Sequence, residues 1–383
     1  MRRQDPISRL ADLLSSMELT VICLVVLMIL VVACTLAQVN LGIHLAVEQY
    51  IRSFIVWWHP EWLSFPLPIF PGGGLAGGVL LLNLGMAQFR RLERSWRKAG
   101  LWIMHFGMAL LFLGEFATAF LQVESHLTIE EGQTINYSQD TRRMELAVVD
   151  GTDKDADDVR SIPTSLMKSR GEISDPSLPF ALRVHAFYDN AELSMRGSSD
   201  PPAQATAGVG ANVLIHPMPR PLGAEQDTPS ALVEPVTKDG RSYGIFLVSP
   251  SLGAPQSFAH EGRNWSLSLR PRRYYMPFSL TLKDFKHDVY PGTSIPKNFS
   301  SLVRLLDPRG GDDRDVLIYM NAPLRHGGLT FYQASFGKDN TLSVLQVVRN
   351  PSWTVPYIAC LLVAIGLLWH FGMMLRRTIG GLS

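Results

Sequence analysis

Residues 101–121 read LWIMHFGMALLFLGEFATAFL, between the basic step Arg97-Lys98 and the polar start at Gln122. A helix crosses a bilayer in about 20 residues, and this run holds one acid, Glu115, and one histidine, His105. Three further runs share its character. Leu19–Ala37 and Leu67–Phe89 carry no charge, and Val355–Leu375 carries only His370. The second of the four begins unevenly, with Pro68, Pro71 and Gly72-Gly73-Gly74. The sequence therefore predicts a membrane α-helical protein with four transmembrane helices. Residues 1–121 hold the first three, and residues 354–383 hold the fourth with its tail. Between them lies a large extracytoplasmic β-rich domain, 122–353.

Direction follows from the flanking basic residues, which collect on the cytoplasmic side. Arg2, Arg3 and Arg9 precede the first run; Arg90, Arg91, Arg94, Arg97 and Lys98 join the second to the third; Arg376-Arg377 follow the last. The loop 38–66 carries Arg52 alone. Both termini are expected in the cytoplasm, with the chain multi-pass in the inner membrane and the large domain periplasmic. The first run is long for a cleaved leader, and Val31-Val32-Ala33-Cys34 matches a lipoprotein box only loosely, so it is read as a retained span. Phe54, Trp57, Trp58, Trp62 and Phe65, near Glu48 and Arg52, suit a helix or loop lying in the outer interface.

Residues 122–353 show short alternating patches, among them Glu145–Val149, Phe180–Phe187, Trp265–Leu269, Phe278–Leu282 and Leu342–Val348. Turn pairs punctuate them: Asp150-Gly151, Asp239-Gly240, Pro291-Gly292, Gly310-Gly311 and Gly327-Gly328. This is the pattern of an antiparallel β domain. Stretches 153–179 and 194–210 read as loops. Asp153, Asp155, Asp157 and Asp158 lack the glycine and closing glutamate of a calcium loop and read as solvated. Six histidines here (His126, His185, His216, His260, His287, His326) read as ordinary strand or surface residues.

Several classes are excluded. The three cysteines, Cys23, Cys34 and Cys360, lie inside apolar runs, so the large domain has no disulfide, redox pair or haem-attachment motif. Lys and Arg number 35 against 34 acids, which leaves no nucleic-acid footprint. No hydrolase elbow, phosphate loop or zinc spacing occurs.

Polar side chains within hydrocarbon are costly and mark candidate sites. Asn83, His105 and His370 fall at matching depth on the cytoplasmic half of their runs, and are expected to form one layer. Glu115 stands about 15 Å further out, from a rise of 1.5 Å per residue. A histidine in an apolar pocket can ligate haem iron. It can equally hydrogen-bond Asn83 or a carbonyl and hold helices together.

Phe70-Pro71-Gly72-Gly73, Leu82-Asn83-Leu84, Ser95-Trp96-Arg97-Lys98-Ala99-Gly100, His105-Phe106-Gly107, Gly114-Glu115, Tyr290-Pro291-Gly292, Asn298-Phe299-Ser300-Ser301, Asn321-Ala322-Pro323 and Tyr332-Gln333-Ala334-Ser335 stand out along the chain. Together these segments resemble the ResB-like (CcsB) family of system II cytochrome c biogenesis proteins. The resemblance implies work beside a ResC/CcsA-type membrane protein that presents haem; this chain lacks such a tryptophan-rich motif. It further implies non-covalent transport of haem b through the membrane, with His105 on the iron, and support of its attachment to apocytochrome c. The chain would then be at most one component of a haem-attachment complex. Asn83, His370 and Glu115 complete the candidate set, although the family comparison does not clearly support His370 as a ligand. The alternative is a cofactor-free scaffold or permease-like subunit that binds partners through its outer domain.

Overall fold

The structure is a computed structural model. It describes residues 6–380 apart from 59, 61–62, 64, 154–155, 170, 220–226, 293–295 and 338–340. Trp62 and Asp155 lie outside the described residues. The chain forms two compact units. One holds the described residues up to Val123 and from Asn350 onward; the other holds Glu124–Arg349.

The helical unit begins with α1 (Pro6–Leu14) and α2 (Met17–Ala46), whose path is broken at Gly42 by a φ of 74°. A π-turn, Val47–Arg52, carries an ion pair from Arg52 to Glu48 at 2.8 Å. Next comes a hairpin, β1 (Ile55–Trp58) paired antiparallel with β2 (Leu67–Pro71). The aromatic stretch expected as a helix or loop is therefore partly strand. The β-branched and aromatic residues Ile55, Val56, Trp57 and Trp58 favour that pleated pairing. The run predicted as one span from Leu67 likewise splits into β2 and α3 (Gly73–Arg91). The glycines explain the break: a Cβ on Gly72 or Gly73 would run into the carbonyls of Ser53 and Ile51, and the Gly74 N–H donates to Ser53 O at 3.0 Å. After a basic turn, α4 (Ala99–Leu121) follows.

Among the described residues three helical stretches are long and apolar enough to cross a membrane: Met17–Ile43, Trp96–Leu121 and Val355–Gly380. The last is a helix throughout, and takes the label α6 below. The shorter α3, at 19 residues, reaches roughly 28 Å.

The β unit contains β3 (Val123–Glu130), β4 (Thr134–Asp150) and β5 (Asp158–Pro163), then the one-turn helix α5 (Thr164–Lys168) and β6 (Gly171–Ile173). The predicted loop 153–179 is thus half ordered structure, and Asp158 opens β5 in an ion pair with Arg160 at 2.9 Å. Next come β7 (Phe180–Tyr188), β8 (Ala191–Met195), β9 (Val213–Pro217), β10 (Ser230–Thr237), β11 (Phe246–Val248) and β12 (Gln256–His260). The remainder are β13 (Arg263–Val289), β14 (Pro296–Asp307), β15 (Asp312–Tyr319), β16 (Leu324–His326), β17 (Leu329–Gly337) and β18 (Leu342–Arg349). The helix α6 (Val355–Gly380) completes the chain.

The main sheet runs β15-β14-β13-β4-β3-β18-β17-β16, and a second runs β11-β10-β7-β6. Three apolar clusters fill the unit, a smaller one around Val213, Leu232 and Leu247 and two larger ones. Leu127, Phe278, Leu280, Val303, Phe331 and Leu345 belong to one; Leu146, Phe180, Leu182, Val233, Trp265 and Leu267 belong to the other. Two predicted patches, 265–269 and 278–282, are parts of the single strand β13, and each serves a different core. Gly327-Gly328 form the two-residue turn from β16 to β17, with φ of 59° and 76°, a conformation that glycine adopts without steric cost.

Candidate functional site

The geometry around His105 begins with the pairing of α4 and α6. Gly100, Gly107 and Gly114 recur every seven residues, two helical turns, and all three are buried. A Cβ on Gly100 would sit 2.6 Å from the Gly366 carbonyl, and one on Gly107 would sit 2.9 Å from the Ala359 carbonyl. A Cβ on Gly114 would sit 2.6 Å from Val355. Small residues let two backbones approach closely where lipid offers no hydrophobic drive between helices. The side-chain amide of Asn350 donates to Thr118 at 3.3 Å, just before α6 begins.

That seam decides where His105 points. At 3.6 residues per turn, His105 lies about 160° around the helix from Gly107, so it faces away from α6. It is exposed in the chain, as are its neighbours Phe106, Met108 and Phe112. Its Nδ1 lies 2.8 Å from the Leu101 carbonyl oxygen. A carbonyl can only accept, so Nδ1 carries the proton in that bond. In the neutral ring the lone pair then resides on Nε2, the atom free to bind a metal. Glu115 is also exposed, one residue beyond the buried Gly114.

The other two candidates do not join His105. The His370 backbone packs against Gly100 on the opposite side of α4, and its half-buried ring stands 5.6 Å from Phe371. Asn83 is wholly buried and bonded elsewhere. Its amide donates to the carbonyls of Leu14 at 2.8 Å and Ser16 at 2.9 Å, and its Oδ1 accepts from Thr20 at 2.6 Å. Leu14 ends α1, so Asn83 supplies a donor to a carbonyl left open at that helix end, and a further one to Ser16, whose oxygen also accepts from Thr20 at 3.3 Å. The expected single polar layer is therefore corrected: Asn83 ties α3 to the α1–α2 junction. Equal depth along separate helices says nothing about rotation, and rotation separates these residues.

The basic link between α3 and α4 is partly paired. Arg90 meets Asp12 at 2.9 Å and Lys98 meets Glu93 at 2.7 Å, while Arg91 and Arg94 hold no ion pair among the described residues. Phe89, Trp96 and Trp102 line an apolar hollow beside Arg94.

In the β unit the histidines are dispersed. His185 contacts Glu234 at 2.7 Å, His216 contacts Ser194 at 2.8 Å, His260 contacts Tyr243 at 2.6 Å and His326 contacts Asp307 at 2.9 Å. Among the described residues no group of three or more His, Cys, Asp or Glu is placed to hold a metal. Sequence reasoning missed the network in which Ser301 donates to Gln333 at 2.6 Å and contacts Ser343 at 2.7 Å. Its signal was present in two segments singled out for their resemblance, Phe299-Ser300-Ser301 and Tyr332-Gln333, but nothing in one dimension says that they meet.

Residues 256–344, from β12 into β18, match the family model described as the ResB-like family. Over this segment the chain is similar to the ResB-like family. The match includes Ser301, Gln333 and Ser343, so the network sits within the ResB-like segment. A stretch of 104 residues is 36% identical to Protein NrfI of Wolinella succinogenes; it covers 27% of this chain and 12% of that protein. The chain thus spans about an eighth of that relative's length.

Proposed function

We propose that this ResB-like chain is a membrane-bound cytochrome c maturation factor. It crosses the membrane four times, keeps its termini in the cytoplasm and places its β unit outside. With a ResC/CcsA-type partner it passes haem b, as cargo, outward to apocytochrome c. The reading rests on the ResB-like match together with one feature of α4: His105 sits on an exposed apolar face with Nε2 unengaged. A polar side chain turned toward hydrocarbon is costly unless something meets it, and haem iron beside a partner helix would do so.

In this reading His105 supplies one axial ligand, and the partner supplies the second. His370 is the weaker internal claimant, because α6 lies on the far side of α4. The two propionates of haem would suit Arg91 and Arg94 at the cytoplasmic end of the link, and Glu115 would border the exit path. Asn83 acts by holding α3 in place.

The test is the visible spectrum of the purified chain and of its variants. His105→Ala should remove the haem bands and stop cytochrome c maturation, with partial recovery on adding imidazole. His370→Ala should do much less. If His105→Ala inserts stably and still copurifies with a full complement of low-spin haem, His105 is a packing residue and the reading fails.

A further inference from the structure

β4 and β13 shift register at two places, and at one of them Pro271 faces Met144, whereas Arg273 already faces Gln139. Residues 140–143 therefore stand opposite Arg272 alone and form an enlarged bulge. Asp140, only 9% exposed, holds its shape. Oδ1 accepts the backbone N–H groups of Arg142 and Arg143, both at 2.8 Å, and Oδ2 accepts the Tyr274 hydroxyl at 2.6 Å. Bulges of this kind re-aim side chains. Here Arg142 and Arg143 line a hollow of about 420 Å³, together with Arg272 and Lys168, against walls that include Met144 and Phe187.

The pairing within this hollow is uneven. Glu145 is nearly fully buried, accepts from Ser161 and meets Arg270 at 3.2 Å. Asp189 meets Lys168 at 2.6 Å, and Asp227 is likewise partnered. Its acids are thus engaged, while Arg142, Arg143 and Arg272 have no ion-pair partner among the described residues. Arg272 lies over the Tyr274 ring at 5.4 Å, which keeps its guanidinium plane oriented. Guanidinium groups present fixed forks that suit the oxygens of carboxylates and phosphates. The volume falls in the range of small-molecule sites.

We propose that this hollow binds a small multivalent oxyanion, carrying carboxylate or phosphate groups, through Arg142, Arg143 and Arg272. The site is independent of haem and of the helical unit. Its test uses the full chain in detergent at physiological salt, titrated calorimetrically with citrate and separately with inorganic pyrophosphate. Saturable binding of at least one is expected, and the stronger of the two tells which chemistry the site prefers. Arg142→Gln/Arg143→Gln and Arg272→Gln should each weaken it at least about tenfold, the scale of one charge-assisted hydrogen bond. All three side chains project from the surface, so far-ultraviolet spectra of the variants should match the parent. Arg349→Gln, outside the hollow, should leave binding unchanged. Absence of saturable binding for both anions overturns the proposal. So does equal weakening by Arg349→Gln and the pocket variants, which would mean diffuse charge attraction only.

Discussion

The hydroxyl of Ser301 donates to the side-chain carbonyl of Gln333 at 2.6 Å, joining β14 to β17 without a backbone ladder between them. Ser301 and Ser343 are wholly buried, and Gln333 also donates to Ser343 at 3.2 Å. Three polar side chains satisfy one another inside the ResB-like segment. Such a network specifies one arrangement of strands, because every other arrangement leaves a buried hydroxyl unpaired.

Gln333→Ala should therefore lower stability by about 1–3 kcal/mol, the cost of buried groups left without partners. A thermal melt of the purified chain would show it as a lower transition for the β unit. Adding Ser301→Ala should cost less than the sum of the two single changes, since both remove the same bond. Strict additivity would mean that the contact is incidental.

Gly107→Val places a branched side chain where a Cβ already falls 2.9 Å from the Ala359 carbonyl. The helices α4 and α6 must then separate, at a cost of roughly 1–3 kcal/mol as in other overpacked interiors. Lower accumulation in membranes and easier proteolysis between residues 350 and 355 would report it. Gly85→Val, where a Cβ meets nothing within 4 Å, is the matched control.

Asn83→Leu preserves bulk but removes the side-chain donor of the Leu14 carbonyl and leaves Ser16 with Thr20 alone. The α1–α2 junction should loosen, and a cysteine at position 15 should react faster with a soluble thiol reagent. The haem binding proposed for His105 should be unaffected, because Asn83 lies in a different contact set. Loss of haem without loosening of the junction would return Asn83 to the ligand layer.

Asp307 has its carboxyl held well below the usual range, first by a hydrogen bond from Arg309 and then by one from His326. A depressed carboxylate adds stability above its unfolded value, about 3.9, and that part is lost as pH falls toward the folded value. The melting temperature of Asp307→Asn should lie below that of the parent at about pH 5, and the gap should narrow steadily as pH falls from about 4 toward 2. A constant gap across that interval would show that the Asp307 charge is not what is lost.

Topology can be read with reporters placed on exposed structure. A periplasm-active enzyme inserted at the turn Asp239-Gly240 should be active, and the same enzyme at Ser95 should be silent. The opposite result would reverse the assigned orientation.

Composition and period alone determined much of this protein. Uninterrupted apolar length marks α2, α4 and α6, because an unpaired backbone is intolerable in lipid and only a long apolar helix avoids it. Alternation and glycine turns likewise mark most strands of the β unit, since a half-buried strand must turn every second side chain inward. What only the tertiary structure decided depends on rotation, register and distant partners. The run from Leu67 divides because Gly72 and Gly73 let the chain close on Ser53 and Ile51. Two apolar patches fuse into β13 because both pair with β4, across a bulge that Asp140 braces from within. Asn83 and His105 share a depth in the sequence, yet one is wholly buried and the other is exposed on α4. The glycine seam settles that difference: it turns one face of α4 to α6 and leaves the face of His105 open, a choice made by close packing between residues some 260 positions apart, as Gly100 and Gly366 are.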